Sequence, residues 1–190
     1  MPTLYHAPQS RSDTIVTLID LMGIRDRLDI VEVTIPRRDG SGGRDPKNPH
    51  PEGKVPYLVD GDDHVRERGA IITWLTDRFP ESGLGRPVGD PQRGAFLSWL
   101  FYYQGVIEPV GLLYSLRIDH PALQATFRDY DTVVQQIEDR VADAPFLLGP
   151  DFSAADLLCA SPFVFFGEMM PVTPVVKGWV DRCAERMRAA

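Results

Sequence analysis

Apolar and polar positions along this chain change period several times, and each change predicts an element. Residues 2–7 (PTLYHA) are short and partly apolar and suit a first strand. From Ser12 to Gly23, Ile15, Val16, Leu18, Ile19 and Met22 recur at helical spacing, with Ser12 placed to cap the start and Gly23 to stop the end. Leu28 to Ile35 is rich in β-favouring residues and predicts a second strand. The Gly- and Pro-rich segment that follows predicts an irregular connection with at most a short helix. KVPYLVDG and DDHVRE then read as antiparallel strands turning at Gly61–Asp62. Ala70 to Phe79 carries Ile71, Ile72, Trp74, Leu75 and Phe79 on one helical face.

After Pro80 the pattern changes. ESGLGRPVGDP has no apolar period and predicts a linker. The rest reads as helix. Gln92 to about Arg117 is aromatic-rich, with Gly105 and Pro109 as points of bending or breakage. Pro121 to Val141 predicts one amphipathic helix. Ser153 to Phe166 is apolar nearly all round, as at the centre of a bundle, and Val175 to Met187 predicts a closing helix. The expected architecture is a two-domain α/β plus all-α chain. A small βαβ–ββα domain spans residues 1–81, a linker 82–90, and an all-helical domain 91–190.

Composition narrows the function classes. The 190 residues are 43% hydrophobic and 25% charged, an ordinary globular balance. The net charge of −7 argues against broad binding to nucleic acid or anionic membrane. No apolar run approaches a bilayer span, and MPTLYHAPQSRSD lacks a basic-then-apolar leader pattern. Cys159 and Cys183 lie far apart in helical context, without metal-ligand spacing, and read as a buried, inert pair. No metal site is expected, and a reducing cytoplasm is the expected location.

Three places carry candidate chemistry. Val55–Pro56 interrupts a strand pattern. That is explained either by an edge strand or by a cis bond that offers the Val55 backbone to an extended ligand. Glu67–Arg68 opens a helix, where a charge pair is either a solvated turn or part of an anion site at the helix N-terminus. Ser153 and Asp156 have the S-x-x-D spacing of a capping box, a folding role.

NPHPEGKVPYL, ERGAI and FSAADL, in this order, resemble the glutathione transferase family across the whole chain. In that family an N-P-x-G-K-V-P-x-L stretch ends in a cis proline and E-S-x-A-I opens the next helix. Here the first stretch is two residues longer, and Arg68 replaces the small hydroxyl residue. The resemblance implies a thioredoxin-like N-terminal domain, a helical-bundle C-terminal domain and a homodimer. Reduced glutathione is implied as co-substrate, held by Lys54, Val55, Pro56, Glu67 and Arg68, with Glu67 taking its amino group. Arg68 is left with two roles, a bidentate grip on the glutathione carboxylate or a swing away from it.

Transfer chemistry needs the thiolate, and a donor at a helix start stabilises it. No cysteine lies there, so a cysteine-based reductase is not expected. Ser10 is the first candidate, then Arg11, with Ser12 and Tyr5 as further ones; Ser12 is equally suited to capping, and His6 to a structural or solvent-facing role. Tyr102, Tyr103 and Phe165 are the candidates for an apolar second substrate, and the polar loop from Arg37 to Pro51 for a moving cover. The implied activity is conjugation of glutathione to small apolar electrophiles. The alternatives are a non-catalytic binding protein of the same fold, or a glutathione-dependent isomerase or dehalogenase.

Overall fold

The structure, a computed structural model, describes residues 1–189. They fall into two compact units, Met1–Ser82 and the chain from Gly83 onward.

The first unit is a four-stranded mixed sheet with two helices. Its elements are β1 (Thr3–His6), α1 (Asp13–Met22), β2 (Asp29–Glu32), β3 (Tyr57–Asp60), β4 (Asp63–Arg66) and α2 (Arg68–Arg78). The sheet order is β2-β1-β3-β4. β1 and β2 are parallel, with His6 opposite Glu32, while β1–β3 and β3–β4 are antiparallel. Leu4, Ile15, Leu18, Ile19, Leu58, Ile71, Ile72 and Leu75 are fully buried and form the core on which both helices lie. Gly23 ends α1 in the left-handed conformation, as its position predicts. β2 is shorter than Leu28–Ile35. The long connection after it contains turns but no helix, and Gly42 is required there: at φ +71°, an added Cβ would lie 2.2 Å from the Ile35 carbonyl oxygen.

The second unit is helical: α3 (Arg93–Tyr102), α4 (Glu108–Ser115), α5 (Pro121–Thr126), α6 (Tyr130–Val141), α7 (Ala154–Phe166) and α8 (Pro174–Arg188). Two expectations change. The bend expected in the aromatic-rich helix is a π-helical turn at Tyr103–Ile107 that contains Gly105, and Pro109 sits harmlessly in the first turn of α4. The single helix expected over 121–141 is two. Phe127 is extended, and Asp129 then starts a new helix by accepting from the Thr132 N–H at 2.7 Å. A hydrophobic period cannot register such a cap inside itself.

α7 carries Pro162 in its interior, which leaves the Leu158 carbonyl without its usual N–H donor. The Ser161 hydroxyl donates to that carbonyl at 2.7 Å. The start of α7 is the unit's polar centre. The capping box expected from Ser153 and Asp156 is present, and both residues are fully buried. One Asp156 carboxylate oxygen accepts from Leu147 N–H (2.7 Å) and Trp179 Nε1–H (3.0 Å). The other accepts from Ser153 N–H (3.0 Å) and Oγ–H (2.7 Å). Burial pushes this carboxyl above its ordinary pKa, against the pull of those donors. Cys159 and Cys183 are buried free thiols, and burial pushes the Cys183 thiol up. Among the described residues no single helix is long and apolar enough to cross a membrane.

Replacing Asp156 with Asn keeps the shape but turns an N–H toward buried donors. A loss of about 2–4 kcal/mol is expected in urea unfolding, against about 1 kcal/mol for Ser153→Ala.

Candidate functional site

The sheet's connectivity brings the candidate residues of the first unit to one edge. Tyr5 on β1 pairs with Tyr57 on β3, and the strands run oppositely. The chain leaving β1 at Ala7 therefore emerges at the edge where Val55–Pro56 enters β3. Tyr57 also pairs with Arg66, so β4 ends at that edge too, followed at once by Glu67 and α2. Three local structures thus share it: the turn from Ala7 to Asp13, the Val55–Pro56 bond and the start of α2.

The Val55–Pro56 bond is cis. Pro56 is buried, Val55 half-buried and Lys54 exposed. Behind them Asn48 is buried. It donates from Nδ2 to the Lys54 carbonyl (3.0 Å), and its Oδ1 accepts from the His50 N–H (3.1 Å). His50 accepts the Glu52 N–H on Nδ1 and packs edge-on against the Tyr57 ring, 4.8 Å between centroids. The segment before the cis bond is thereby held from below.

Glu67 is exposed and has φ +71° and ψ 130°, a conformation rare for a side-chain-bearing residue. Such strain costs on the order of 1–3 kcal/mol and gathers at functional sites. The first-turn N–H groups of α2 follow it, where anions are favoured. Arg68, left open between a grip on the carboxylate and a swing away from it, has a buried side chain. It is 5% exposed and its Nη1 lies 3.5 Å from Thr14 Oγ1 on α1. The guanidinium belongs to the α1–α2 packing.

The turn before α1 is a chain of hydrogen bonds centred on Ser12. Ser12 is fully buried and occupies the cap position, but it makes no side-chain cap bond, which corrects the capping role weighed for it. Its Oγ instead meets the Ala7 N–H (3.1 Å), the Ala7 carbonyl (3.1 Å), His6 Nδ1 (2.8 Å) and Ser10 Oγ (2.7 Å). Ser10 is half-buried and its Oγ also accepts the Ser12 N–H at 3.1 Å. Arg11 is exposed. Tyr5 packs beside Tyr57 within the sheet. His6 Nε2 lies 3.9 Å from Asp13 Oδ1.

Two residues have partners that the sequence did not signal. His6 joins the Ser12 chain, and its only sequence signal is its place just before the turn. Arg37 donates to the Pro8 carbonyl (2.6 Å) and the Gln9 carbonyl (2.8 Å), so the polar loop is tied to the turn at this point.

The second-substrate candidates of the helical unit lie in different environments. Tyr103 is buried at 2% exposure, Phe165 is 60% exposed, and Tyr102 is half-buried beneath the Arg128 guanidinium, with burial pushing its phenol up. None of the three lines a cavity of about 1060 Å³ in this unit, which lies among Tyr114, Arg117, Phe127, Arg128, Tyr130 and Met169.

Residues 4–83 match the family described as glutathione S-transferase, N-terminal domain. The chain is 27% identical over 156 residues to glutathione S-transferase F14 of Arabidopsis thaliana, covering 72% of this chain and 61% of that one. It is 27% identical over 207 residues to the disulfide-bond oxidoreductase YfcG of Escherichia coli, covering 98% and 91%. It is 24% identical over 180 residues to the dichloromethane dehalogenase of Methylophilus leisingeri, covering 85% and 67%. Among solved structures, a glutathione S-transferase from Actinobacillus pleuropneumoniae superposes with a TM-score of 0.77 at 22% identity, covering 100% of this chain and 88% of that one. A sphingomonad glutathione S-transferase in complex with glutathione superposes with a TM-score of 0.72 at 18% identity, covering 98% of both. These likenesses support the glutathione S-transferase family, with the family match itself lying in residues 4–83. Its fold is the thioredoxin-like N-terminal domain followed by a helical C-terminal domain. The chain spans about three-fifths of the length of the Arabidopsis relative.

Two predictions follow from this geometry. Glu67→Gly relieves a positive-φ strain and is expected to raise stability by up to about 1 kcal/mol in urea unfolding. His6 and His50 are both held below the ordinary imidazole pKa, chiefly by burial. The unfolded chain therefore binds more protons, so stability is full above about pH 6.5 and falls as the pH drops through that value. Denaturation midpoints are expected to fall between about pH 7.5 and 5.5. His50→Asn, whose Oδ1 still accepts the Glu52 N–H, flattens that slope.

Proposed function

We propose that the protein is a glutathione transferase that conjugates the thiolate of reduced glutathione to small apolar electrophiles. The observation that carries this reading is the convergence on one sheet edge of the cis Val55–Pro56 segment, the start of α2 and the Ser10 turn. In this reading the Val55 backbone pairs with the peptide-like middle of glutathione, as an added strand does. Lys54 and Pro56 flank it. Glu67 accepts the amino group, and the N–H groups at the start of α2 receive the adjoining carboxylate. Arg68 supports this end from within, through its packing against α1. Ser10 donates its hydroxyl proton to the sulfur, and Arg11, exposed beside it, adds positive charge. Tyr102, Tyr103 and Phe165 remain the proposed contacts of the second substrate. A cytoplasmic homodimer goes with this reading.

A second reading has a specific observation behind it. The relative matching 98% of this chain is named a disulfide-bond oxidoreductase, and another is named a dehalogenase. Both names point to a reaction other than conjugation, and the second reading is such a reaction, with glutathione, at the same site. A binding protein without catalysis is the third.

Calorimetry with reduced glutathione is expected to show binding at or below millimolar ligand; no heat at that concentration overturns both catalytic readings. With binding established, Ser10→Ala is expected to lower turnover of an electrophile panel by at least about tenfold, through loss of a donor to the developing thiolate. Unchanged turnover removes Ser10 from the mechanism. Turnover of disulfides or haloalkanes, with none of conjugation substrates, selects the second reading.

A further inference from the structure

The Ser12 hydroxyl has more neighbours than it has bonds to give. A hydroxyl carries one hydrogen and two lone pairs. Ser12 Oγ lies within hydrogen-bond distance of a fixed donor, Ala7 N–H, and a fixed acceptor, the Ala7 carbonyl. Its two shortest contacts, His6 Nδ1 at 2.8 Å and Ser10 Oγ at 2.7 Å, go to groups that can give or take a proton. The Ala7 N–H takes one lone pair. One hydrogen and one lone pair remain to serve the other neighbours.

This count couples the direction of the Ser10 hydroxyl to His6. When Nδ1 carries a proton, it fills the last lone pair of Ser12. Ser12 then donates to Ser10 or to the Ala7 carbonyl, and Ser10 finds no acceptor on Ser12. Because Ser10 Oγ already accepts the Ser12 N–H, its own proton has to point away from the turn. When Nδ1 is bare, Ser12 donates to it, and the freed lone pair draws the Ser10 proton inward. One short chain thus has two wirings, and the imidazole selects between them.

We propose that His6, acting through Ser12, is a positioning residue that turns the Ser10 hydroxyl proton outward onto the glutathione sulfur. The inference rests on the reading of Ser10 as the partner of that sulfur. The groups around His6 set the balance. Asp13 on α1 lies 3.9 Å from Nε2, and Glu32 on β2 is the register partner of His6. Arg25, just after α1, acts on His6 too. The Asp13 carboxylate favours a proton on Nε2. In the neutral ring that leaves Nδ1 bare and the Ser10 proton turned inward. A thiolate bound at Ser10 favours the outward wiring, and so favours a proton on Nδ1. The two sites are linked, and the linkage is reciprocal: the thiolate raises the affinity of Nδ1 for a proton, and a protonated Nδ1 favours the thiolate.

The test uses the wild-type chain and two probes that differ only at sulfur, glutathione and S-methylglutathione. Nitrogen-15 spectra of His6, recorded near the pKa of the bound thiol, are expected to show Nδ1 protonated with glutathione and bare with S-methylglutathione. Identical spectra with both bound ligands overturn the proposal and leave the glutathione site standing. Failure of both ligands to bind in calorimetry overturns the site and the proposal together. The variants add a functional readout, the ultraviolet absorbance of the bound thiolate against pH. His6→Phe is expected to raise the thiol pKa by roughly half to one unit, a three- to tenfold loss of thiolate. His6→Asn, whose amide sets an N–H where Nδ1 lies, is expected to hold it within roughly 0.3 of a unit of wild type. A His6→Phe curve that coincides with wild type overturns the proposal, while a shifted Ser10→Ala curve beside it would keep Ser10 in place. A His6→Phe chain that fails to fold leaves the wild-type spectra to decide.

Discussion

The register between β1 and β3 is the constraint on which the site depends. Tyr5 faces Tyr57, and Tyr57 faces Arg66, so three chain segments far apart in sequence end at the same edge. Each segment leaves its strand in a conformation the strand does not require. One enters a hydrogen-bonded turn, one crosses a cis bond, and one passes through a positive φ into a helix. A slip of one residue between these strands would turn every side chain to the opposite face. It would move the buried Leu4 and Leu58 out of the core. The apolar positions that stabilise the sheet are therefore the same ones that align the site. Stability and geometry share one set of contacts.

The helical unit solves a different problem. Its central helix is buried along most of its length, so the polar groups at its start have no water to meet. Asp156 answers for a loop, a cap and a distant helix with one carboxylate, through Leu147, Ser153 and Trp179. Ser161 does the same locally for the carbonyl that Pro162 leaves open. Neither arrangement bears on substrate chemistry. Together they explain why polar residues occur in the most apolar stretch of the chain.

Much of this was legible in the residues. Apolar spacing marked α1, α2 and α8, and the family motifs marked the cis bond and the helix start beside Glu67. What escaped detection depended on hydrogen bonds with no periodic trace. Asp129 divides a helix whose apolar pattern runs through the break, and a π-helical turn absorbs the bend that Gly105 and Pro109 suggested. The motif left Arg68 open between gripping a carboxylate and turning away; its side chain is buried, 3.5 Å from Thr14 Oγ1. His6 looked structural because a lone histidine at a strand end carries no motif. Its hydrogen bond to Ser12 leaves no trace in the sequence.

Hydrogen-bond accounting also separates the two serines of the turn. Ser12 is fully buried and has more hydrogen-bond neighbours than its valences serve. Ser10 is half-buried, and its oxygen is held in place by the Ser12 N–H while its proton stays free to choose. Such a group is pre-organised in position yet adjustable in direction, which is what a donor to a developing thiolate requires. The loop that begins at Arg37 bears on the same point. By donating to the Pro8 and Gln9 carbonyls, its guanidinium fixes the backbone that leads into Ser10. Fixing that backbone removes the freedom that would otherwise be lost on binding, so the turn presents one hydroxyl, in one place, with one remaining degree of freedom.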